Sequence, residues 1–295
     1  MESNAVRVPY RGLLDWSAAL TFLARRAVEG VEQVEHGSYR RTIGRDGAAG
    51  TLAIAHDDAR SALVVAVEGL PAPAVTRAVD RVKQMFDLEA DCSAIDAHLA
   101  GDRLMAPLVA ARPAIRVFRG WDGFEVAARS VIGQQVTVAR ARALNGILVE
   151  RCRTALPAGA GAPLSRLFPT PASVVEADLS AMGMPGARVA TLKAVAAAAL
   201  ADPLLFDRTN SIEETVARLR RIRGVGDWTA HYIAMRACGE PDAFPASDVG
   251  LLRGAAGAFG RRPTPQALLA RAEAWRPWRA YAAHHLWAID AAVPA

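Results

Sequence analysis

The feature that most constrains this chain is a short turn between two amphipathic helical segments. It reads Leu219-Arg-Arg-Ile222-Arg-Gly224-Val-Gly226-Asp-Trp228-Thr229-Ala230-His-Tyr232. Gly224 and Gly226 flank one apolar residue, so the backbone can turn tightly and its N–H groups can approach an anion closely. The helix that follows adds the positive end of its dipole at the same place. The stretch predicts a phosphate-binding hairpin that grips nucleic acid without reading bases; an ordinary corner between two helices is the alternative.

The distribution of charge along the chain points to a polyanionic partner. Residues 1–105 contain 12 Lys and Arg against 15 Asp and Glu, whereas residues 106–295 contain 23 against 15. The whole-chain net charge of +5 therefore conceals a basic C-terminal two-thirds. A basic surface of this kind favours nucleic acid as the partner.

Hydropathy and cysteine content exclude several classes of protein. The longest apolar run, Ala194 to Ala201, is far shorter than the roughly 20 residues of a membrane span. The N-terminus lacks the apolar stretch of a signal peptide, so we expect a cytoplasmic protein. The three cysteines include no Cys-x-x-Cys pair, which excludes a zinc ribbon or a four-cysteine iron–sulfur cluster.

Periodicity predicts an α+β fold that is mainly α. Within the first hundred residues, helical spacing over 16–28 and 76–86 brackets two strand-like runs, 50–55 and 61–67. These segments predict a small antiparallel sheet covered by helices. From about residue 105 the strand signals vanish, and helices separated by Pro and Gly take over, including one long stretch over 124–152. Ser211 followed three residues later by Glu214 is a capping-box pattern, which predicts that a helix starts there.

The hairpin and its surroundings resemble a known family. The pattern Leu-x-x-Ile-x-Gly-Val-Gly-x-Trp-Thr-Ala-x-Tyr is similar to the helix–hairpin–helix motif of DNA glycosylases. Asp248 stands nineteen residues after Thr229, beyond a Gly/Pro-bearing loop, where that family has its catalytic aspartate. Further stretches resemble the alkylation-repair branch, 3-methyladenine DNA glycosylase II: 131–137 (Val-Ile-Gly-Gln-Gln-Val-Thr), 182–185 (Met-Gly-Met-Pro), 275–281 (Trp-Arg-Pro-Trp-Arg-Ala-Tyr) and the N-terminal 15–28.

The resemblance implies a domain arrangement. It gives an N-terminal TBP-like α/β domain over 1–98 and a two-lobed helical core with the active site in the cleft. One lobe comprises 99–122 plus 241–295. The other comprises 123–240 and carries the hairpin at about 219–230. The implied protein is a bacterial, cytoplasmic monomer that works on double-stranded DNA containing alkylated bases.

Asp248 and Trp228 determine the chemistry that the resemblance implies. A carboxylate at Asp248 would stabilise positive charge at the sugar or orient the attacking water; its competing role is the N-cap of the next helix. Bifunctional relatives carry a nucleophilic lysine where Trp228 stands. The only lysines here are Lys83 and Lys193. We therefore expect a monofunctional enzyme that leaves an abasic site, and an enzyme for oxidised or mismatched bases is disfavoured.

The remaining site residues also come from the resemblance. Phe22, Trp228, Tyr232 and Trp278 would line a base pocket that attracts cationic purines such as 3-methyladenine and 7-methylguanine. Besides Gly224 and Gly226, Thr229, Gln134 and Gln135 would contact DNA, with Gln135 as the wedge that replaces the flipped base.

No cofactor is expected. A structural Na⁺ or K⁺ would be held at the hairpin by the backbone carbonyls of Arg220, Ile222 and Val225. The rival from another class is a non-catalytic helix–hairpin–helix protein that binds damaged DNA. Such a protein would need neither Asp248 nor the aromatic set.

Overall fold

The N-terminal part of the computed structural model is one antiparallel sheet with helices on it; the structure describes residues 5–45, 48–153, 156 and 163–292. The strands are β1 (Val6–Pro9), β2 (Glu32–Glu35), β3 (Ser38–Arg45), β4 (Ala48–Asp57) and β5 (Ala62–Glu68). Their order is β1-β5-β4-β3-β2, with every neighbouring pair antiparallel. Helices α1 (Trp16–Ala24) and α2 (Ala72–Met85) complete this unit. The antiparallel sheet predicted from the sequence is thus confirmed, but only β4 and β5 of its strands were recognised.

The rest of the described chain is helical. The helices are α3 (Cys92–Ala100), α4 (Met105–Ala111), α5 (Gly123–Ile132), α6 (Val138–Cys152), α7 (Pro171–Glu176), α8 (Gly186–Ala201), α9 (Ile212–Arg220), α10 (Asp227–Ile233), α11 (Val249–Phe259), α12 (Pro265–Ala272) and α13 (Arg279–Ala292). A π-helical turn, Ala234–Cys238, continues α10. Ser211 caps α9 through the Glu214 N–H at 3.2 Å, as the sequence predicted. None of these helices is long and apolar enough to cross a membrane.

One prediction about the helices was wrong. The stretch 124–152 is two helices rather than one, because α5 ends at Ile132 and α6 begins at Val138 after a five-residue break. Within the break, Gln135 has a left-handed φ of 56°, which an L residue rarely adopts. Thr137 then caps α6 through the Arg140 N–H. The break turns the residues between the helices outward.

Two large hydrophobic cores reflect this division, and a small third cluster of Val28, Val31 and Val149 lies apart from them. One lies between the sheet, α1 and α2, and the other runs through the helical part from Ile95 to Leu286. Helices from both predicted lobes contribute to the second core, which therefore holds the hairpin and the Asp248 segment in a fixed relation.

A buried ionic cluster joins the sheet to the helical part. Glu125 on α5 pairs with Arg41 of β3 at 2.7 Å and with Arg129 at 2.8 Å, and Arg129 also reaches Glu32 of β2 at 2.5 Å. Burial alone would raise the pKa of the Glu125 carboxyl, but the two guanidiniums reverse this and hold it below its usual range. Removing one partner would leave a buried charge uncompensated, so the cluster fixes the sheet on α5.

Candidate active site

The turn between α9 and α10 uses its two glycines for different purposes. Gly224 has φ +85°, and a Cβ there would lie 1.9 Å from the Thr191 hydroxyl of α8, so only glycine fits. Gly226 has ordinary extended backbone, and an added Cβ would meet nothing within 4 Å. Ile222 and Val225 are buried and anchor the turn on the core. The face at Gly226 is therefore open to a large ligand such as a DNA backbone.

The helix after the turn places three side chains along one face. Trp228, Tyr232 and Arg236 are spaced four residues apart, and the rings of Trp228 and Tyr232 stack with centroids 5.3 Å apart. The Arg236 guanidinium lies 5.8 Å from the Tyr232 ring centroid. The turn around Arg236 is π-helical, so it contains more residues than an α-helical turn. Such π-helical turns are frequent at functional sites.

Asp248 is both a helix cap and the centre of a hydrogen-bond cluster. Its Oδ1 accepts the Leu251 N–H at 2.9 Å, which confirms the capping role, and also the Trp287 indole N–H at 2.8 Å. Its Oδ2 accepts the Trp228 indole N–H at 2.8 Å. Each carboxylate oxygen offers two lone pairs. Oδ1 is thus saturated by protein donors, while Oδ2 keeps one lone pair for a ligand.

The structure corrects the choice of tryptophan near the C-terminus. Trp278, predicted to line the base pocket, packs edge-on against Tyr281, whose hydroxyl donates to Asp87. Trp287, which lies on α13, contacts Tyr232 edge-to-face at 6.4 Å and donates to Asp248. Trp287 could not be chosen from the sequence motif, because the matching stretch 275–281 contains Trp278 and ends before Trp287.

Phe22 of α1, in the N-terminal part, lies beside the side chains of α10 and α13. Its ring lies 4.9 Å from the Arg236 guanidinium, which is also 5.6 Å from the Trp287 ring. The predicted residues Phe22, Trp228, Tyr232 and Asp248 are therefore brought together, with Trp287 in place of Trp278. We define the rings of Phe22, Trp228, Tyr232 and Trp287 as the aromatic cluster.

The two glutamines next to Gly133 lie beside the hairpin. Gln134 donates from its side-chain amide to the Thr229 hydroxyl at 2.9 Å, which ties the α5–α6 break to α10. Gln135 is exposed and held in the left-handed region. Strained backbone of this kind persists where the surroundings determine it, and it presents the Gln135 side chain outward.

Neither lysine forms a hydrogen bond or an ion pair with Asp248. Lys83 pairs with Asp80 on α2, and Lys193 donates to the Val175 carbonyl beside α8. Within the described part of the chain, no group of His, Cys, Asp and Glu could hold a metal ion. The Ile222 carbonyl at the predicted cation site accepts the Val225 N–H at 3.0 Å. One lone pair of that oxygen is left, and carbonyl oxygens are ligands that hard cations accept.

Comparison with known proteins gives the family. Residues 128–280 match the model described as the HhH-GPD superfamily base excision DNA repair protein, and residues 5–122 match the AlkA N-terminal domain. The chain belongs to the HhH-GPD superfamily. The two family models together cover most of the described chain.

Individual relatives agree with this placement. The chain is 32% identical to DNA-3-methyladenine glycosylase 2 of Escherichia coli K12 over 92% of its own length and 93% of the relative. It is 35% identical to a probable bifunctional transcriptional activator/DNA repair enzyme AlkA of Mycobacterium tuberculosis over 96% of its length, but it spans only 56% of that relative. A solved 3-methyladenine DNA glycosylase from Archaeoglobus fulgidus has the same fold, with a TM-score of 0.83 at 19% identity over 97% of this chain and 99% of the other.

Proposed function

We propose that the protein is a monofunctional DNA glycosylase that hydrolyses the N-glycosidic bond of alkylated purines and leaves an abasic site. The observation that carries the proposal is the Asp248 carboxylate, fixed by three donors, with one lone pair of Oδ2 free beside the aromatic cluster. Membership of a base excision repair superfamily supports the same reaction class.

In this mechanism the damaged nucleotide leaves the duplex and enters the cleft. The exposed Gln135 fills the space in the duplex, and the open face at Gly226 binds the DNA backbone. Cleavage of the bond between the base nitrogen and C1′ builds positive charge on the sugar. The Asp248 carboxylate stabilises that charge because it is preorganised and cannot rotate away from its donors. The base keeps both electrons of the broken bond, so a cationic base leaves as a neutral molecule; water then adds at C1′ and gives up one proton to solvent.

The enzyme is monofunctional in this proposal because both lysines of the chain have partners other than Asp248. The position of the nucleophilic lysine in bifunctional relatives is taken by Trp228, whose N–H is committed to Asp248. An indole cannot form a Schiff base, so the sugar–phosphate strand is left uncut.

The proposed substrates are duplexes that contain 3-methyladenine or 7-methylguanine. These bases are cationic and carry weakened glycosidic bonds, and electron-rich rings attract cations. A protein that only recognises damage would have no use for a carboxylate clamped next to the rings. We further propose that the enzyme acts as a cytoplasmic monomer, and that the carbonyls of Arg220, Ile222 and Val225 hold a monovalent cation that stiffens the hairpin.

A base-release assay tests the function directly. The full chain is incubated under single-turnover conditions with duplexes that each contain one 7-methylguanine, and free base and abasic sites are counted. We expect release that is lost in Asp248→Asn, and strands that break only after alkali. Binding without release by the native chain would favour the non-catalytic alternative. Replacing Na⁺ and K⁺ by a bulky organic cation is expected to weaken duplex affinity without changing the chemical step.

A further inference from the structure

A second carboxylate lies beside Asp248. A Cβ at Gly250 would lie 3.1 Å from Asp248 Oδ1 and 3.2 Å from Asp290 Oδ2, so the two carboxylate oxygens are separated by at most about twice that distance. Asp290 belongs to α13 and borders Oδ1, the oxygen that the N–H groups of Leu251 and Trp287 already saturate. Any effect of Asp290 on a bound sugar therefore passes through Asp248.

Arg253, on α11, holds Asp290 by two hydrogen bonds. Its guanidinium donates to Asp290 Oδ1 at 2.6 Å and to Oδ2 at 2.9 Å. The side chain of Arg253 is 58% exposed and that of Asp290 is 22% exposed. The pKa of Arg253 is raised, first by its hydrogen bond and charge contact with Asp290 and in smaller part by the charge of Asp248. One guanidinium thus interacts with both carboxylates.

The charged and titratable side chains around Asp248 come from four elements. They are Arg26 from α1, Tyr232 and Arg236 from α10 and its π-helical continuation, His284 and Asp290 from α13, and Arg253 from α11. Burial, together with the charge of Arg236, holds the pKa of His284 well below its usual range, so that ring is neutral. Among these described side chains Asp290 alone is a carboxylate, and its charge opposes the ionisation of Asp248.

The Arg253–Asp290 pair matters for its charge rather than for its strength. An ion pair this exposed adds little to the stability of a fold. Two neighbouring carboxylates, however, disfavour each other's charged form. Arg253 cancels the charge of Asp290 at short range, so Asp248 keeps the negative charge that stabilises the sugar cation. Without Arg253 the charge of Asp290 would repel that of Asp248, and without Asp290 the charge of Arg253 would attract it.

We propose that Arg253 keeps Asp248 ionised by neutralising Asp290, and that the Arg253–Asp290 pair thereby sets the lower pH limit of base excision. This inference rests on the proposed glycosylase function and deepens it by naming what keeps its carboxylate charged. Arg253 and Asp290 are positioning residues, because both act through Asp248. Their effects have opposite signs, which separates this role from a simple clamp between α11 and α13.

The test is the pH dependence of excision. Single-turnover release of 7-methylguanine from a duplex is measured at saturating enzyme for the native chain, Arg253→Met, Asp290→Asn and the double variant. Arg253→Met is expected to move the midpoint of the acidic limb up by about half a pH unit, the effect of one unit charge at roughly 6 Å in a water-like dielectric. Asp290→Asn should move the midpoint down by a similar amount. The double variant should return close to the native midpoint.

Matched variants control for charge and for the loss of a surface pair. Arg253→Lys keeps the charge and should stay near the native midpoint. Arg60→Met breaks the pair between Arg60 and Asp57 in the N-terminal sheet, whose side chains are 65% and 16% exposed, and should leave the midpoint unchanged. Thermal unfolding shows whether each variant is folded, and Arg253→Gln takes the place of Arg253→Met if that variant does not fold.

The possible outcomes are distinct. A pair that only clamps α13 on α11 would slow excision at every pH in both single variants and leave the midpoint in place. That result, a shift of the same sign in both single variants, or an Arg253→Met rate that stays level until the protein unfolds in acid would overturn the proposal. A native chain that releases no base at any pH would instead refute the glycosylase function itself.

Discussion

Asp248→Asn is expected to remove activity and to destabilise the protein, for a reason that the hydrogen bonds of the site make specific. The amide oxygen of asparagine can replace Oδ1 and still accept from Leu251 and Trp287. The amide nitrogen must then face the Trp228 indole N–H across the 2.8 Å that now separates donor from acceptor. Two donors cannot bond, so one of the N–H groups loses its partner.

The magnitude follows from that lost bond. A half-buried donor left without an acceptor costs about 1–3 kcal/mol of unfolding free energy. For a chain of this size, each kcal/mol corresponds to a fall in Tm of roughly 2–4 °C. Loss of the negative charge that faces the sugar should lower single-turnover excision by about a hundredfold or more, by analogy with the removal of one preorganised stabilising group.

The double variant Asp248→Asn, Trp228→Phe isolates the cause. Phenylalanine keeps a ring against Tyr232 but has no N–H, so Trp228→Phe should cost about 1–3 kcal/mol less in the Asn background than in the Asp background. Thermal unfolding of the four proteins gives this coupling, and a base-release assay follows activity. Activity should stay lost in the double variant. Near-native excision by Asp248→Asn, or an absence of coupling, would refute the reasoning.

Three further outcomes are expected. Gly226→Asp should fold normally, because its Cβ meets open space, yet it should weaken binding to damaged and undamaged duplex alike, which salt titrations would detect. Gly224→Ala should instead unfold at lower temperature, because its Cβ would collide with Thr191. Borohydride added during excision should trap no covalent protein–DNA adduct, and a trapped band on a denaturing gel would contradict monofunctionality. Trp287→Phe should slow excision about tenfold by removing a hydrogen bond to a charged group, whereas Trp278→Phe should leave the rate within about twofold; equal effects in the two variants would restore Trp278 to the pocket.

Local signals made much of this protein predictable from its sequence. Gly224 of the hairpin, the Ser211–Glu214 capping pair and the Asp248 cap that starts α11 each report a backbone requirement within a few residues. The spacing of Trp228 and Tyr232 likewise fixes one helical face. Such features can be predicted from the sequence because they depend only on the nearest neighbours in the chain.

The strands that were missed show where local signals fail. In β3, Arg41 is buried at 2% exposure beside the buried Tyr39 and Ile43, so an arginine occupies the face where alternation demands an apolar residue. Its partner Glu125 lies 84 residues away, and no periodicity within β3 can reveal that the charge is neutralised. A buried ion pair therefore conceals a strand from any reading of hydropathy alone.

The position of Trp287 was indicated in the sequence, but by two glycines of α11 rather than by residues near Trp287 itself. Gly254 of α11 packs so closely on α13 that a Cβ there would lie 1.9 Å from the Leu286 carbonyl oxygen. One turn earlier, a Cβ at Gly250 would lie 3.1 Å from both the Trp287 ring and Asp248 Oδ1. Gly250 and Gly254 are four residues apart and form the face of α11 that lets α13 approach. That approach brings the Trp287 indole nitrogen to 2.8 Å from the carboxylate of Asp248, the N-cap of α11. The glycine pair after Asp248, rather than the tryptophan-rich motif at 275–281, is thus the sequence feature that indicates which tryptophan reaches the site.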